Sequence, residues 1–196
     1  MDELGLGPNG GLVYCMEYLA ANLDWFDAEI AKLPKDSYLL IDCPGQIELY
    51  THQSSMRTIV QHLTSSSRDH RLCAVHLVDS HHCSDPGKFI SILMTALTGM
   101  LSLALPHVNV LSKADLIDKN GKLPFNTEFF TEVLDLSYLL DELNDDAYFK
   151  KYRKFNQALV GLVEDHSLVS FVLLTIQVRY FSAISVQTNL STACVY

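Results

Sequence analysis

The 196-residue sequence has no lysine- or arginine-rich block: 14 basic side chains stand against 23 acidic ones, for a net charge of −9. Without a basic footprint, neither direct nucleic-acid binding nor attraction to an anionic membrane is expected. A bound phosphate would have to draw its positive field from backbone N–H groups and a metal ion. The five cysteines (Cys15, Cys43, Cys73, Cys83 and Cys194) include no Cys-x-x-Cys pair and fall mainly in apolar segments. That excludes a disulfide framework and predicts buried thiols in a reducing compartment. The N-terminal residues lack the basic and apolar regions of a signal peptide, and the apolar stretch from Leu168 to Ile176 is well short of the ~20 residues that span a bilayer. The expectation is a cytoplasmic or nuclear protein with no membrane partner. No Gly-x-Ser-x-Gly elbow is present, which disfavours a serine hydrolase. The single tryptophan, Trp25, next to Phe26 and without basic neighbours, reads as core or dimer-facing helix surface and not as a base-stacking platform.

What is present centres on Ser37-Tyr38-Leu39-Leu40-Ile41-Asp42-Cys43-Pro44-Gly45-Gln46, an apolar run that ends on a carboxylate and a tight turn. Bounded by Pro34 and by Pro44-Gly45, it predicts a strand buried on both faces of a parallel sheet. Ligands of such sheets lie beyond the carboxyl ends of the strands, so Asp42 is expected at that rim, with Gly45 allowing close backbone approach.

The turn formers Gly5 to Gly11 argue against any regular element starting before them, and a helix is predicted over 12–32. A second helix is predicted over 54–63, with Met56, Ile59, Val60 and Leu63 on one face, then a polar loop to Asp69. Residues 72–79 read as another doubly buried strand ending on Asp79. Asp85-Pro86 signals the start of a helix that is apolar all round to Leu103. A third strand covers 108–111, Asn120-Gly121 is a turn, helices follow over 126–140 and 145–164, and a fourth strand covers 168–174. The second of these helices is expected to turn Tyr148, Tyr152, Phe155, Leu159, Leu162 and Val163 inward. Strands alternating with helices of ten or more residues predict an α/β fold, a mostly parallel sheet with helices on both faces.

Two motifs fall at strand ends: Asp42-x-x-Gly45, followed by Gln46, and Ser112-Lys113-x-Asp115. In a nucleoside triphosphatase the first would hold magnesium through its water shell at Asp42, meet the terminal phosphate with the Gly45 N–H, and orient the attacking water with Gln46. In the second, Asp115 can accept from both the ring N–H and the exocyclic amine of guanine while the Lys113 stem packs over the purine. Adenine offers no matching donors and would leave the acid unpaired. Asp79 reads equally as a second acid at the site or as a strand-end cap. His76, His81, His82 and Cys83 do not complete a zinc set, since adjacent histidines diverge in extended backbone and no second cluster stands at ligand spacing.

Leu6-Gly7-Pro8-Asn9-Gly10-Gly11, taken with Asp42-Cys43-Pro44-Gly45-Gln46-Ile47-Glu48 and Ser112-Lys113-Ala114-Asp115-Leu116, resembles the GPN-loop GTPase family, and the likeness runs from about Leu4 to Val172. The resemblance implies a P-loop NTPase-like three-layer fold, GTP as substrate, Mg2+ as cofactor, and a nucleotide site that includes Gly7, Pro8, Asn9, Gly45, Ser112, Lys113 and Asp115. It implies that Gln46, Asn9 and Asp42 are catalytic, with Asp42 on the metal. Gly7, Pro8 and Asn9 would reach toward a partner's nucleotide in a homodimer or a heterodimer with another GPN-loop GTPase. It also implies a link to RNA polymerase II subunits, their assembly and nuclear import.

One departure is plain. The phosphate cradle of such a site, Gly-x-x-x-x-Gly-Lys-Ser/Thr, is absent: Gly87-Lys88 precedes Phe89, Gly121-Lys122 precedes Leu123, and neither pair has a glycine five positions earlier. The expectation is therefore a truncated G domain over residues 1–176, incomplete at its N-terminus, followed by a divergent tail over residues 177–196. For the polypeptide as written the expectation is a catalytically inactive interaction module, and GTP hydrolysis is expected of a chain that carries the cradle as well.

Overall fold

The computed structural model describes residues 5–34, 36–65, 70–119, 127–133, 135–145, 149–166 and 169–175. The chain divides into two compact units, Met1–Arg71 and Leu72–Tyr196. The proposed boundary at residue 176, the tail beyond it and the Asn120-Gly121 turn lie outside the described residues.

The first unit is helical. Helix α1 (Pro8–Ala21) begins within the glycine-rich stretch, earlier than expected, because Pro8 occupies its first position, where the missing N–H costs nothing, and Gly7 caps it. The long helix predicted over 12–32 is two helices. Asn22 ends α1, its side-chain amide donating to the Tyr18 carbonyl at 2.7 Å, and α2 (Leu23–Ile30) follows. A short helix α3 (Glu48–Thr51) leads into α4 (Ser55–Ser65), which buries Met56, Ile59 and Leu63 on one stripe. Helix α1 packs on α4, and His62 of α4 meets Asp27 of α2 at 2.9 Å. Trp25 is exposed, the surface reading of its two alternatives.

The strand predicted at 37–42 is absent. Residues 37–44 belong to no helix or strand, and Leu40 is 88% exposed. A strand exists only where a neighbour accepts its ladder hydrogen bonds, and among the described residues of this unit every regular element is a helix.

The second unit holds a parallel three-stranded sheet in the order β1-β2-β3: β1 (Ala74–Asp79), β2 (His107–Ser112) and β3 (Phe171–Leu173). Ala74 pairs with His107, Asp79 with Ser112, and Leu111 with Leu173. This is the expected parallel α/β arrangement. Between β1 and β2 runs α5 (Pro86–Leu103), started where expected: the Asp85 carboxylate accepts from the Lys88 N–H at 2.8 Å and Pro86 takes the first turn. It ends at Ala104, which adopts a left-handed φ of 52°. In length and composition α5 could cross a membrane, yet here it is the central helix of the core. Phe89, Leu93 and Ala96 are fully buried, each large apolar side chain stabilising by about 1.5–3 kcal/mol. It is not buried all round: Lys88, Ser91, Thr98 and Leu101 face outward.

The predicted 126–140 helix is broken into α6 (Thr127–Glu132) and α7 (Ser137–Asp145). Val133 turns left-handed at φ 51°, and the Asp135 carboxylate accepts from the Ser137 N–H at 3.2 Å to start the second piece. The predicted 145–164 helix becomes a 3-10 turn (Phe149–Tyr152) and α8 (Arg153–His166). Its apolar face is narrower than expected. Val160 and Val163 are buried and Leu159 packs against the core, whereas Tyr152, Phe155 and Leu162 are exposed; Tyr148 lies outside the described residues. Val78, Leu111 and Phe171 from the sheet join side chains of α5 to α8 in one cluster, with Phe89 and Phe130 edge-on at 4.9 Å between ring centroids. On the opposite face of β1, Val75 and Leu77 are exposed, so this strand is not buried on both faces.

The thiols correct another expectation. Cys83 is buried and Cys73 half-buried, but Cys15 and Cys43 are exposed.

Candidate nucleotide site

At the carboxyl ends of β1 and β2 the sheet gathers a polar group in which each member is tied to its neighbour. Asp79 and Ser112 are the last residues of the two strands and stand in register. The Lys113 ammonium donates to Asp79 Oδ2 at 2.6 Å, and the His81 N–H donates to Asp79 Oδ1 at 2.9 Å. The Lys113 hydrogen bond, then the His81 N–H, hold the Asp79 carboxyl below its usual range. The Ser112 hydroxyl donates to the Val78 carbonyl at 3.0 Å, and the buried Ser80 hydroxyl donates to the Lys113 carbonyl at 2.9 Å. Lys113 sits at φ 58°, a left-handed conformation uncommon for a side-chain-bearing residue, and these contacts hold it there. Ala114 N–H donates to the Leu174 carbonyl at 3.2 Å, carrying the chain into a 3-10 turn (Ala114–Lys119) that holds Asp115, half-buried.

The role of Asp79 was open from sequence. The cap is what the structure shows: its carboxylate caps the turn Ser80–Ser84, and it also pairs with Lys113. Ser80 was not anticipated, although Asp79-Ser80 follows β1 as Ser112-Lys113 follows β2, and that parallel was the available signal. His81 and His82 lie in a 3-10 turn, not in extended backbone, with ring centroids 6.1 Å apart.

The first unit assembles a second group. The Gln46 side-chain amide donates to Asn9 Oδ1 at 2.6 Å, joining residues 37 positions apart. Asn9 is fixed by α1, whose first turn is closed by the Gly11 N–H donating to the Gly7 carbonyl at 2.8 Å. The Tyr50 hydroxyl, from α3, donates to the Pro44 carbonyl and so pins the turn before Gly45. Burial, then the nearby Cys43 and Asp42, push the Tyr50 phenol up to about 12. Although Cys43 is exposed over the residue as a whole, partial desolvation of its thiol, then the Asp42 charge, raises it above its usual value. Gly45 is exposed, and a Cβ there would meet nothing within 4 Å. Asp42 is exposed on a segment without regular structure and not, as expected, at the end of a buried strand. The motif residues thus form two clusters: Gly7, Pro8, Asn9, Asp42, Gly45 and Gln46 belong to the first unit, Ser112, Lys113 and Asp115 to the second.

Residues 1–189 match a family model described as "Conserved hypothetical ATP binding protein". A GPN-loop GTPase 2 of Danio rerio is 58% identical over 90% of this chain and 56% of its own length. The chain belongs to the GPN-loop GTPase family. The GPN-loop GTPase QQT1 of Arabidopsis thaliana is 51% identical over 90% of this chain and 59% of its own length. The GPN-loop GTPase 2 of Saccharomyces cerevisiae is 42% identical over 90% and 52%. The chain therefore spans a little over half the length of the GPN-loop relatives it matches. Within this family setting, Gly7-Pro8-Asn9 forms the start of a helix, and its asparagine is already bonded to the glutamine after Asp-x-x-Gly.

Proposed function

We propose that this chain is the guanine-nucleotide-binding part of a GTP-hydrolysing GPN-loop protein. The observation that carries the reading is the rim where Lys113 and Asp79 lock the ends of two parallel strands beside Asp115, the position at which open α/β sheets bind ligands. In this reading Asp115 accepts from the ring N–H and exocyclic amine of guanine, and the Lys113 stem lies along the purine. The Gly45 N–H meets the terminal phosphate, Gln46 orients water, and Asn9, held by Gln46, addresses phosphates across a dimer. Asp42 suits a magnesium site: its carboxylate is exposed and accepts no hydrogen bond from the protein among the described residues, leaving oxygens for the ion's water shell. The ion would neutralise charge on the phosphates.

The names of the relatives support guanosine over adenosine, although the family description reads "ATP binding". We further propose, on the family resemblance, pairing with a second copy or another GPN-loop GTPase. On the same basis we propose a role in RNA polymerase II assembly and nuclear import, and residence in the cytoplasm with passage to the nucleus.

A second reading is favoured by one observation: no Gly-x-x-x-x-Gly-Lys-Ser/Thr occurs in these 196 residues. An interaction module that keeps the partner surface without holding a triphosphate needs no such cradle.

Titration with fluorescent GTP and ATP analogues separates the readings. Micromolar GTP binding, preferred over ATP and weakened about 10–100-fold by Asp115→Asn through loss of a charge-assisted pair, supports the first. ATP preference that is indifferent to Asp115→Asn sinks guanine recognition. No binding at millimolar nucleotide leaves the interaction module.

A further inference from the structure

The sequence contains two Asn-Gly pairs: Asn9-Gly10 at the start of α1, and Asn120-Gly121, which lies outside the described residues. Such a pair is chemically unstable. The backbone nitrogen of the glycine attacks Cγ of the asparagine side chain, ammonia leaves, and a succinimide ring remains. Water opens that ring at one carbonyl to give aspartate and at the other to give isoaspartate. Glycine favours the attack because it has no Cβ to shield its nitrogen and turns its backbone most freely.

The surroundings of Asn9 and Gly10 set how fast this chemistry runs. Both residues are exposed, so water reaches them and ammonia escapes. The Gly10 N–H is among the first four of the helix, which have no acceptor within it, and it makes no backbone hydrogen bond among the described residues. The nucleophile is therefore not tied up. Against it stands the helical backbone of Asn9, which must swing open before the ring can close. That first turn is weakly held. Gly7 caps it without a side chain, two glycines follow Asn9, and glycine is a poor helix former. One backbone bond, from the Gly11 N–H to the Gly7 carbonyl, closes the turn. The other restraint is Gln46, whose side-chain amide donates to Asn9 Oδ1 at 2.6 Å.

We propose that Asn9 is a deamidation site gated by Gln46. The folded chain converts Asn9 to aspartate and isoaspartate through opening of the first turn of α1, and the Gln46 hydrogen bond slows the conversion by holding the asparagine amide in its helical position. The two products act differently on the helix. Aspartate leaves the main chain unchanged; a carboxylate in the first turn is favoured by the helix dipole and accepts the Gln46 amide more strongly than the neutral oxygen did. Isoaspartate adds a methylene to the main chain and breaks the helical start. Either product replaces a neutral side chain by an anion. Under the nucleotide reading above, that anion stands where Asn9 addresses phosphates and repels them, so conversion turns the site off as the protein ages. This consequence rests on that reading, whereas the conversion itself needs no ligand.

The test is peptide mass spectrometry on the folded chain, incubated at neutral pH and physiological temperature without nucleotide, for the parent, Gln46→Ala and Gly10→Ala. A Cβ at Gly10 would meet only the Leu6 side chain, at 3.5 Å, so alanine fits there, and circular dichroism checks that each variant keeps the parent's fold. Cleavage after lysine and arginine places Asn9 in the segment ending at Lys32, apart from Asn120, and an isoaspartyl methyltransferase reports isoaspartate separately. The expected result is a gain of about one mass unit in the parent segment, with isoaspartate present, and a rate about 2–5-fold higher in Gln46→Ala, the effect of losing one exposed neutral hydrogen bond. Gly10→Ala should convert more slowly than the parent, and the parent unfolded in urea should convert faster. A folded parent that stays unconverted while the unfolded chain reacts, a Gln46→Ala rate equal to or below the parent's, or a Gly10→Ala rate equal to the parent's would each overturn the gated site. Mass and methylation are read without nucleotide, so their outcome stands apart from that of the GTP titration.

Discussion

Lys113 and Asp79, 34 residues apart, close the ends of two adjacent parallel strands with a single 2.6 Å hydrogen bond between opposite charges. The bond holds a left-handed lysine at the point where the chain leaves β2 for Asp115.

The Asp79 carboxyl is held below its ordinary value of 3.8, first by Lys113 and then by the His81 N–H. A depressed acid favours folding in its ionised form, so this contribution is full above about pH 3.8 and fades as the pH falls through the lower folded value. Asp79→Asn should therefore lower the melting temperature near neutrality and lose that effect in strong acid. Both side chains are partly exposed, so the decrement is small. A decrement that persists unchanged to pH 2 would show that the ionised pair is not its source.

His107 points the other way. It stands beside His76, with ring centroids 6.1 Å apart, and neither of its ring nitrogens has a hydrogen-bond partner among the described residues. Burial, then the His76 charge, lower it to about 4 from 6.5; burial also lowers His76, against a hydrogen bond to Asn109 that raises it. Such histidines fold neutral and must take up a proton on unfolding, so stability should fall as the pH drops from about 6.5 toward 4. His107→Phe should flatten that acid limb of a melting-temperature profile. An unchanged slope with His107→Phe would assign the limb to other groups.

The Asn9–Gln46 hydrogen bond is solvent-exposed and neutral, so removing it should cost about 0.5–1 kcal/mol of stability or less. Its interest lies in coupling. Asn9→Ala and Gln46→Ala, alone and together, should show non-additive effects on nucleotide turnover in a chain that hydrolyses GTP, because each holds the other's amide in place. Strict additivity would mean that the two side chains act separately.

Much of this was legible in sequence. The bounds of α5 follow from Asp85-Pro86, a cap and a first-turn proline that need only their own neighbours. The parallel sheet follows from apolar runs alternating with helical periodicity, and the placement of Ser112-Lys113-x-Asp115 follows from the strand before it. Helix breaks were less visible: Asn22 and Val133 end helices through a local turn conformation that apolar spacing does not record.

By itself, then, the sequence determined what depends on residues within a turn or two of one another: caps, helix starts, apolar stripes, and the order in which the motifs leave the sheet. Tertiary structure alone decided which distant groups meet. Lys113 finds Asp79, Gln46 finds Asn9, and His76 lies against His107 because the fold brings together residues 31 to 37 positions apart. The apolar run at 37–42 has the composition of a strand but remains unpaired, because a strand is a relation between two backbones and composition describes only one.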